Sequence, residues 1–280
     1  MKKTSTKLFL AAAALGFAAV TTVGSTYAWF TVNGSAQASG LSMKVAGGSG
    51  IMIRKHTSEG TGQFTDVLDL KDDVDLKDKT WNACTPKDTA KLGSFQTLDL
   101  SATLSSVSTY VYKDLSDVSN YVYTLDLDVR VTDNYNFYIY VSDVADSSAS
   151  DADCKAINVV RVGVINYGPD NANSPTASIY GISERANFDS ETDFALNKFN
   201  AVFSKSLTGP SHIKPESIAK TESNPGCKVE VNSTISDNGY TTERVTLKVW
   251  YDGNDKQCSD EILSNKVDFK LNFVPVEKSA

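Results

Sequence analysis

The segment Tyr121–Thr132, YVYTLDLDVRVT, decides the fold class of this chain. Its odd-numbered positions carry tyrosine, leucine and valine, whereas the even-numbered positions from Thr124 onward carry threonine, aspartate and arginine. Because side chains along a strand point alternately to two faces, this pattern indicates a strand with one buried face and one solvent-exposed face. Asp133-Asn134 then turns the chain into a second alternating run, Phe137–Val141, so the two runs predict an antiparallel hairpin.

The same period of two recurs along the rest of the chain. Asn238-Gly239, a dipeptide that tolerates positive φ angles, separates the alternating segments 227–231 and 244–251 and predicts a second hairpin. Further strands are predicted at 40–46, 51–55, 95–104, 109–113, 155–167 and 266–273. Helical periodicity is confined to 193–207 and 214–222.

Many short strands with turn signals between them are typical of an all-β protein. We therefore expect an antiparallel β-sandwich, jelly-roll-like, with irregular insertions and one or two short helices. The region 167–221 is the least regular and is expected to decorate one end of the sandwich. No linker rich in Pro, Ser or Gly divides residues 29–280, which predicts a single domain.

The amino terminus has the order of an export signal. Three lysines, at 2, 3 and 7, precede an apolar run from Leu8 to Val23, and small residues follow up to Ala28. Spanning a bilayer takes about 20 apolar residues, so this run favours cleavage between Ala28 and Trp29 over a retained membrane anchor. Residues 1–28 are thus predicted to be a signal peptide, and the mature chain to be secreted and in contact with a membrane only before cleavage.

The composition and charge of the chain argue against one class of binding partner, nucleic acids. The chain has 280 residues, 41% of them apolar, and a net charge of −7. Nucleic acids are bound through clustered Lys and Arg, and no such cluster occurs here, so no nucleic acid partner is expected.

All four cysteines, Cys84, Cys154, Cys227 and Cys258, lie in the exported part. An even number of cysteines outside the cell predicts two disulfides, with three possible pairings. Neighbour pairing, 84 with 154 and 227 with 258, closes the shorter loops and is the pairing that we expect. A zinc site is disfavoured because no two cysteines have the short spacing of metal clips.

The sequence gives only weak support for metal-binding or catalytic residues. Asp252 and Asp255 offer the hard oxygen ligands that calcium prefers, although a polar turn explains them as well. The acidic groups around Asp72 and Asp143 are read as solvated loops. Neither His56 nor His212 lies in an H-E-x-x-H helix or near a nucleophile elbow. We therefore predict no metal, no cofactor and no enzymatic activity.

Two segments carry a resemblance to a known family. The first is the junction Gly24–Phe30 (GSTYAWF) together with Ala38–Val45 (ASGLSMKV), and the second is Val249–Cys258 (VWYDGNDKQC). The junction resembles the T-[YW]-A-x-F pattern of TasA/camelysin-like proteins of Gram-positive bacteria, whose signal peptide is cut by a SipW-type peptidase. The second segment is similar to the W-x-[ED]-G-x-D-x-x-C block of exported proteins with this type of signal. Together the matches cover about forty residues at opposite ends of the chain.

The resemblance implies a jelly-roll subunit of the cell surface or the biofilm matrix, cut by a signal peptidase and in some members assembled into fibres by strand donation. Residues 29–39 (WFTVNGSAQAS) suit a donor strand, because they are uncharged, lack proline and carry Trp29, Phe30 and Val32 at the tip. The expected partner is then the protein itself, as a head-to-tail homopolymer, or a related subunit. Alternatively the segment folds back as the first strand of its own sheet, or is disordered.

The function predicted first is a secreted structural subunit of a bacterial surface fibre, pilus or biofilm matrix. The alternative is a secreted monomeric adhesin or ligand-binding β-sandwich module. Exposed Tyr138 and Tyr140 would suit such a binding face, although sheet packing explains them at least as well.

Overall fold

The computed structural model describes part of the chain. The described ranges are 38–39, 41–48, 50–60, 62–76, 79–106, 108–146, 156–167, 175–183, 206, 216–218, 226–231, 236–255, 258 and 266–278.

Seventeen strands and one α-helix occur in these ranges. In chain order they are β1 Ala38–Ser39, β2 Leu41–Gly47, β3 Ile51–Lys55, β4 Val67–Asp69, β5 Thr80–Trp81, β6 Thr85–Pro86, β7 Phe95–Leu98, α1 Leu100–Ser105, β8 Tyr112–Asp114, β9 Val122–Thr132, β10 Tyr135–Asp146, β11 Val160–Asn166, β12 Thr176–Gly181, β13 Glu216–Ser217, β14 Cys227–Val229, β15 Ser236–Asp237, β16 Tyr240–Tyr251 and β17 Val267–Glu277. A 3₁₀ turn, Ala156–Asn158, precedes β11.

Two large sheets face each other. The five-stranded sheet has the order β14-β10-β17-β2-β4, and the seven-stranded sheet has the order β13-β12-β11-β16-β9-β3, with β15 paired to β16. Pairing is antiparallel except between β17 and β2 and between β12 and β13. The predicted all-β sandwich is thus confirmed, while the jelly-roll connectivity remains a prediction.

The core lies between the two sheets. The odd-numbered side chains of β9 from Tyr123 to Val131 are at most 3% exposed, as the alternation predicts. The inward residues of β16 and β17 join them, and the aromatic ones among these are Tyr251 of β16 and Phe269 and Phe273 of β17. Fully burying a side chain of this size stabilises the fold by about 1.5 to 3 kcal/mol, so this shared apolar layer is what holds the sheets together.

The outward face of β9 is less exposed to solvent than the alternation predicts. Asp128 is only 5% exposed, because Arg54 Nε binds one of its carboxylate oxygens at 2.8 Å and His56 Nδ1 lies 2.7 Å from the other. The Arg54 guanidinium also stacks on the ring of Phe64, 4.4 Å from its centroid. This half of the outer face is therefore covered by its own long side chains.

The other half of this outer face carries a small three-stranded sheet, β6-β7-β8. Beneath it lies a second apolar cluster that includes Leu92, Phe95 and Trp250. Leu92 fits where β11 has Gly163: a Cβ on Gly163 would lie 2.3 Å from Leu92 Cδ1. The absence of a side chain at Gly163 thus lets the small sheet pack closely on the large one.

Both predicted turns are present, but the two predicted hairpins are wrong. β9 and β10 belong to different sheets and do not pair, so the turn between them connects the two layers of the sandwich. Residues 227–229 pair with β10 and not with 244–251, and the Asn-Gly turn joins the two-residue strand β15 to β16 instead. β9 and β10 meet at Asp133-Asn134, where Asn134 has a φ of 70°. β15 and β16 meet at Asn238-Gly239, with φ angles of 53° and 81°. Positive φ at both central residues is the geometry of the type I′ turn that Asn-Gly favours.

Three element predictions are corrected. The predicted strand 95–104 ends at Leu98, because Asp99 caps α1 by accepting a hydrogen bond from the Ala102 amide. The predicted strand 155–167 begins only at Val160, after the 3₁₀ turn. The predicted helix 214–222 is wrong where the structure describes it, because Glu216–Ser217 is a strand beside β12.

The other predicted helix, 193–207, lies outside the described residues except for Ser206, which is exposed. Within the ranges given above, no helix has the length and apolarity needed to cross a lipid bilayer.

Candidate functional site

The candidate site is a groove at one edge of the sandwich, called the strand groove below. It has a volume of about 410 Å³. Its lining residues are Val164, Asn166, Thr176, Ser178, Cys227, Lys228, Val229 and Glu230. They belong to β11 and β12 of the seven-stranded sheet and to β14 and its continuation in the five-stranded sheet.

One wall of the strand groove is the edge of β14. Residues 227–230 line it consecutively, which includes side chains from both faces of the strand, so the groove runs along the main chain. β14 has only three residues and is the last strand of its sheet, paired to β10 on its other side. In the described part of the chain no strand pairs with its outer edge. Such an edge offers main-chain groups for one more strand.

The opposite wall is the inward face of β11 and β12. Ser178 pairs with Val164, and Thr176 pairs with Asn166, so all four point toward the side of the sheet that holds the core. Val164 is buried, whereas Ser178 and Thr176 are exposed. These hydroxyl side chains are inward-facing and yet exposed, because in the described part of the chain no strand of the five-stranded sheet lies over β12.

Local contacts hold β14 firmly against β10. Gly226 has a φ of 103°, and a Cβ there would lie 2.3 Å from the carbonyl oxygen of Ile139. Beyond the strand, the amide of Val231 donates to Asn136 Oδ1 at 2.9 Å, and Asn166 Nδ2 donates to the carbonyl of Glu230 at 3.0 Å. The last bond ties the two walls together at one end of the groove.

This arrangement can bind an extended peptide. A strand along β14 would form main-chain hydrogen bonds, and its inward side chains would meet Val164, Val229 and the hydroxyls of Thr176 and Ser178. In the described residues no group of three or more histidine, cysteine or carboxylate side chains is placed to hold a metal ion.

The predicted donor segment joins the body at a different place. Its last two residues form β1, which pairs antiparallel with β5, with Ala38 opposite Trp81 and Ser39 opposite Thr80. The predicted cleavage site, Ala28 and Trp29, and the donor residues Phe30 and Val32 lie outside the described residues.

The weak calcium candidates have a different partner. Asp252 and Asp255 both face the guanidinium of Arg161, which is completely buried. Arg161 Nε lies 3.5 Å from Asp252 Oδ2, and Nη2 binds Asp255 Oδ2. The single guanidinium therefore offsets one of their two charges within the protein, and the block that resembles W-x-[ED]-G-x-D-x-x-C fixes the end of β16 to β11.

Burial, assisted by the charge of Asp252, raises the pKa of two neighbours. Tyr112, whose hydroxyl donates to Asn254 Oδ1 at 3.1 Å, has its pKa raised to about 12 by burial and by Asp252. Burial, assisted by Asp252, also raises the pKa of the Cys84 thiol well above its usual value. A buried thiol with a raised pKa is protonated at neutral pH and is therefore a poor nucleophile.

The expected disulfides are absent among the described cysteines. Cys84, Cys227 and Cys258 are all buried as thiols, and none is linked to another. The bond expected between Cys227 and Cys258 is therefore not formed, and Cys84 does not form the expected bond with Cys154, which lies outside the described residues. The thiols of Cys227 and Cys258 instead fill space in the main core.

The remaining candidates are separated from the groove. Tyr138 and Tyr140 lie half-buried on the outer face of the five-stranded sheet, since Phe137 and Ile139 between them face the core. His56 belongs to the Asp128 network, and His212 lies outside the described residues.

Sequence reasoning missed β12, and with it Thr176 and Ser178. The segment TASIY at 176–180 alternates only weakly, and it lies within the region predicted to be irregular decoration. Its role as a wall of the groove depends on where the other sheet stops, which no local pattern encodes.

Comparisons of the chain with models of known protein families, with curated proteins and with solved structures find no match. The function is therefore argued from the groove and the amino-terminal segment alone.

Proposed function

We propose that this chain is a secreted, non-enzymatic structural subunit of a bacterial surface fibre, pilus or biofilm matrix, which assembles by donation of its amino-terminal strand. The observation that carries the proposal is the strand groove, because among the described residues no strand of the five-stranded sheet lies beyond β14 to cover β12. A sandwich with room for one more strand suits assembly from copies that each supply one.

The gains from such a joint are of the same order as its cost. Burying Phe30 and Val32 contributes about 1.5 to 3 kcal/mol each, and each new main-chain hydrogen bond adds about 0.5 to 1.5 kcal/mol. Association costs about 4 to 15 kcal/mol in lost rigid-body freedom, so the joint depends on both large side chains and on several main-chain bonds.

Signal cleavage acts as the switch for assembly. Before cleavage the donor is continuous with the apolar run 8–23, which is held in the membrane during export. Cleavage between Ala28 and Trp29 releases the donor from the membrane and gives it a new amino terminus. In this proposal the protein then resides on the cell surface or in the extracellular matrix, and the resemblance at the junction favours a Gram-positive bacterium as its source.

The test is electron microscopy and analytical ultracentrifugation of two purified proteins, residues 29–280 and residues 38–280. The shorter form keeps β1 and therefore keeps the pairing with β5. We expect filaments from the longer form and monomers from the shorter. A longer form that stays monomeric at every concentration, or a shorter form that still polymerises, contradicts the proposal.

A second candidate function rests on Tyr138 and Tyr140. On the outer face they lie opposite Val274 and Asn272 of β17, so aromatic, apolar and amide groups are adjacent there. Such a surface suits a glycan or protein ligand of a monomeric adhesin. A monomeric mature protein that binds polysaccharide, and loses that binding when both tyrosines are replaced by alanine, favours this function over the first.

A further inference from the structure

Two cations on the outer face of the seven-stranded sheet share one carboxylate. Arg244 and Lys248, called the cation pair below, lie four residues apart on β16, and Thr246 between them is in register with Asp126 of β9. Arg244 Nη2 lies 3.7 Å from Asp126 Oδ2. The charge of the same carboxylate also reaches Lys248. Two positive groups therefore face one negative group.

The protein satisfies neither cation completely. In the described part of the chain, Lys248 forms no ion pair or hydrogen bond, although it is half-buried with its ammonium 5.5 Å from the centroid of the Phe95 ring. The Arg244 guanidinium stacks on the Tyr167 ring at 4.7 Å, and its buried Nε finds no hydrogen-bond acceptor among the described groups. Burial lowers the pKa of Lys248 despite the opposing charge of Asp126. A second anion would therefore stabilise the ammonium.

Neighbouring arginines on this face have carboxylate partners of their own. Arg54 Nε binds Asp128 Oδ2 at 2.8 Å, and Arg130 Nη2 binds Asp237 Oδ2 at 2.8 Å. Each of these guanidiniums has a carboxylate at hydrogen-bond distance, which the cation pair lacks. The excess positive charge is thus located at the cation pair.

The groups between the two cations suit the hydroxyls of a ligand. Thr246 Oγ1 donates to Asp126 Oδ1 and lies 3.0 Å from the Tyr167 hydroxyl, so the Asp126 carboxylate is held in place. Its side chain is 38% exposed and can accept further hydrogen bonds. The rings of Phe95 and Tyr167 add apolar surface beside the cations.

We infer that the cation pair binds the carboxylate of an acidic sugar, a uronic acid unit of a polysaccharide, while Asp126 accepts hydrogen bonds from the hydroxyls of the same sugar. The ligand carboxylate supplies the negative charge that the cation pair lacks, and the hydroxyls supply donors for Asp126. This inference goes beyond strand donation, because the site needs no second copy. It also lies on the other sheet from Tyr138 and Tyr140.

An acidic sugar fits this site better than a phosphate-rich polymer does. Nucleic acids are bound through many clustered Lys and Arg, whereas this site offers one excess positive charge on a chain of net charge −7. Asp126, placed between the two cations, repels a doubly charged phosphate but accepts sugar hydroxyls. A fibre presents the site once per subunit, so weak binding at single sites adds up along one polysaccharide chain.

The test compares two forms of one polymer. Polygalacturonate and its full methyl ester have the same sugar rings, but only the first carries carboxylates. We expect beads coated with polygalacturonate to retain residues 29–280, and beads coated with the ester to bind about tenfold more weakly, because the contacts of the carboxylate with two cations are lost. Retention on beads is measurable for a monomer and for a fibre.

A variant assigns the binding to the cation pair. Lys248→Met keeps the apolar stem over Phe95 and removes the charge, so it should weaken retention on polygalacturonate about tenfold. Its melting temperature at pH 7 should equal or exceed that of the wild type, because a lowered pKa means that folding disfavours the charged amine. Lys87→Met, at an exposed lysine of the small sheet, removes the same charge and should bind like the wild type.

Protection from acylation tests the site in the unmodified protein. Galacturonate should slow the reaction of Lys248 with an N-hydroxysuccinimide ester and leave the reaction of Lys87 unchanged, as mass spectrometry of the peptides measures. This measurement decides the matter if Lys248→Met does not give a wild-type thermal transition.

Equal retention by polygalacturonate and its ester overturns the inference, and so does equal binding of wild type and Lys248→Met. Beads coated with polyphosphate that retain the protein as firmly as polygalacturonate would show that charge alone is recognised, which overturns the assignment to a sugar. None of these outcomes bears on strand donation, which the filaments of residues 29–280 test separately.

Discussion

At the scale of single residues, the buried ion cluster around Arg161 predicts how much stability the fold loses when the arginine side chain is removed. The Arg161 guanidinium is fully buried and donates to the carbonyl of Asn158 at 2.6 Å while it faces Asp252 and Asp255. Arg161→Ala leaves two carboxylates buried without their cation, and we expect it to destabilise the fold by about 3 to 5 kcal/mol. Urea unfolding followed by tryptophan fluorescence measures the loss.

The matched control for this prediction is an exposed ion pair. Lys87 and Asp114 lie 2.7 Å apart with side chains that are 41% and 67% exposed, so Lys87→Ala should cost at most about 1 kcal/mol. Equal losses for the two variants would mean that water reaches Arg161 and that the cluster is not a buried clamp.

Asp73 predicts how the fold responds to acid. Burial raises its pKa, but hydrogen bonds from Lys55, the Asp75 amide and the Tyr123 hydroxyl outweigh this, so the pKa is lowered from 3.8. A lowered pKa stabilises the fold above the unfolded value and loses that contribution as the pH falls through the folded value. We expect Asp73→Asn to lose about 1 to 3 kcal/mol at pH 7.

The difference between wild-type and Asp73→Asn unfolding free energies should therefore shrink below about pH 4. Urea midpoints between pH 6 and pH 2.5 measure it, with Asp114→Asn as an exposed control. A difference that stays constant over this range contradicts the assignment of the hydrogen bonds to the ionised carboxylate.

The partners of Asp73 and Asp255 could not be predicted from the sequence. Asp73 was read as part of a solvated loop, and Asp255 as a polar turn or calcium ligand. Their partners Tyr123 and Arg161 are 50 and 94 positions away, so only the folded chain brings them together. Local composition identifies an acidic loop but not the cation or phenol that it meets.

At the scale of elements, the turn between β15 and β16 tests backbone geometry. Gly239 has a φ of 81°, and a Cβ there would meet no atom within 4 Å, so conformational strain is the only penalty of a side chain. We expect Gly239→Ala to destabilise by about 1 to 2 kcal/mol. Gly93→Ala, at a position with equal space and without the left-handed φ, should cost much less in the same thermal unfolding measurement.

The packing of the small sheet on β11 depends on Gly163 and Leu92 together. Gly163→Ala would place a Cβ 2.3 Å from Leu92 Cδ1 and 3.2 Å from the Trp250 ring, and overpacking of this kind costs about 1 to 3 kcal/mol. Leu92→Ala leaves a cavity and costs about 2 to 5 kcal/mol. In the double variant the new methyl group enters that cavity, so the combined loss should be smaller than the sum. Strictly additive losses would show that the two residues do not share this space.

Elements with strong alternation were predicted well, and weakly alternating ones were not. β9, β16 and β17 bury one complete face, so their sequences carry the period of two. β13 has two residues at the edge of a sheet and carries no such period, which is why 214–222 was read as a helix. The strand predicted at 95–104 was too long at its carboxyl end, because Asp99 was not recognised as a helix cap.

At the scale of the whole molecule, the sandwich followed from the sequence and the strand groove did not. Alternation fixes which face of a strand is buried, but it does not state how many strands each sheet contains. Among the described residues, one sheet ends at the three-residue strand β14 while the other continues through β12 and β13, and the groove lies between them. The proposed donor was predicted from its position after the predicted signal peptide, whereas the proposed acceptor groove is visible only in the structure.

If the outer edge of β14 accepts a strand, a peptide with the sequence of the proposed donor should stabilise the folded protein. A synthetic WFTVNGSAQ peptide, equivalent to residues 29–37, should bind residues 38–280 and raise the melting temperature in a concentration-dependent way. Binding to the folded state alone adds about 2.7 kcal/mol when the peptide is at 100 times its dissociation constant. A control peptide with Phe30 exchanged for Thr31 and Val32 exchanged for Asn33 has the same composition but inverts the two faces, and it should raise the melting temperature far less. Equal shifts for both peptides would mean that the gain comes from unspecific apolar binding, because a strand placed along β14 must present its large side chains to only one side.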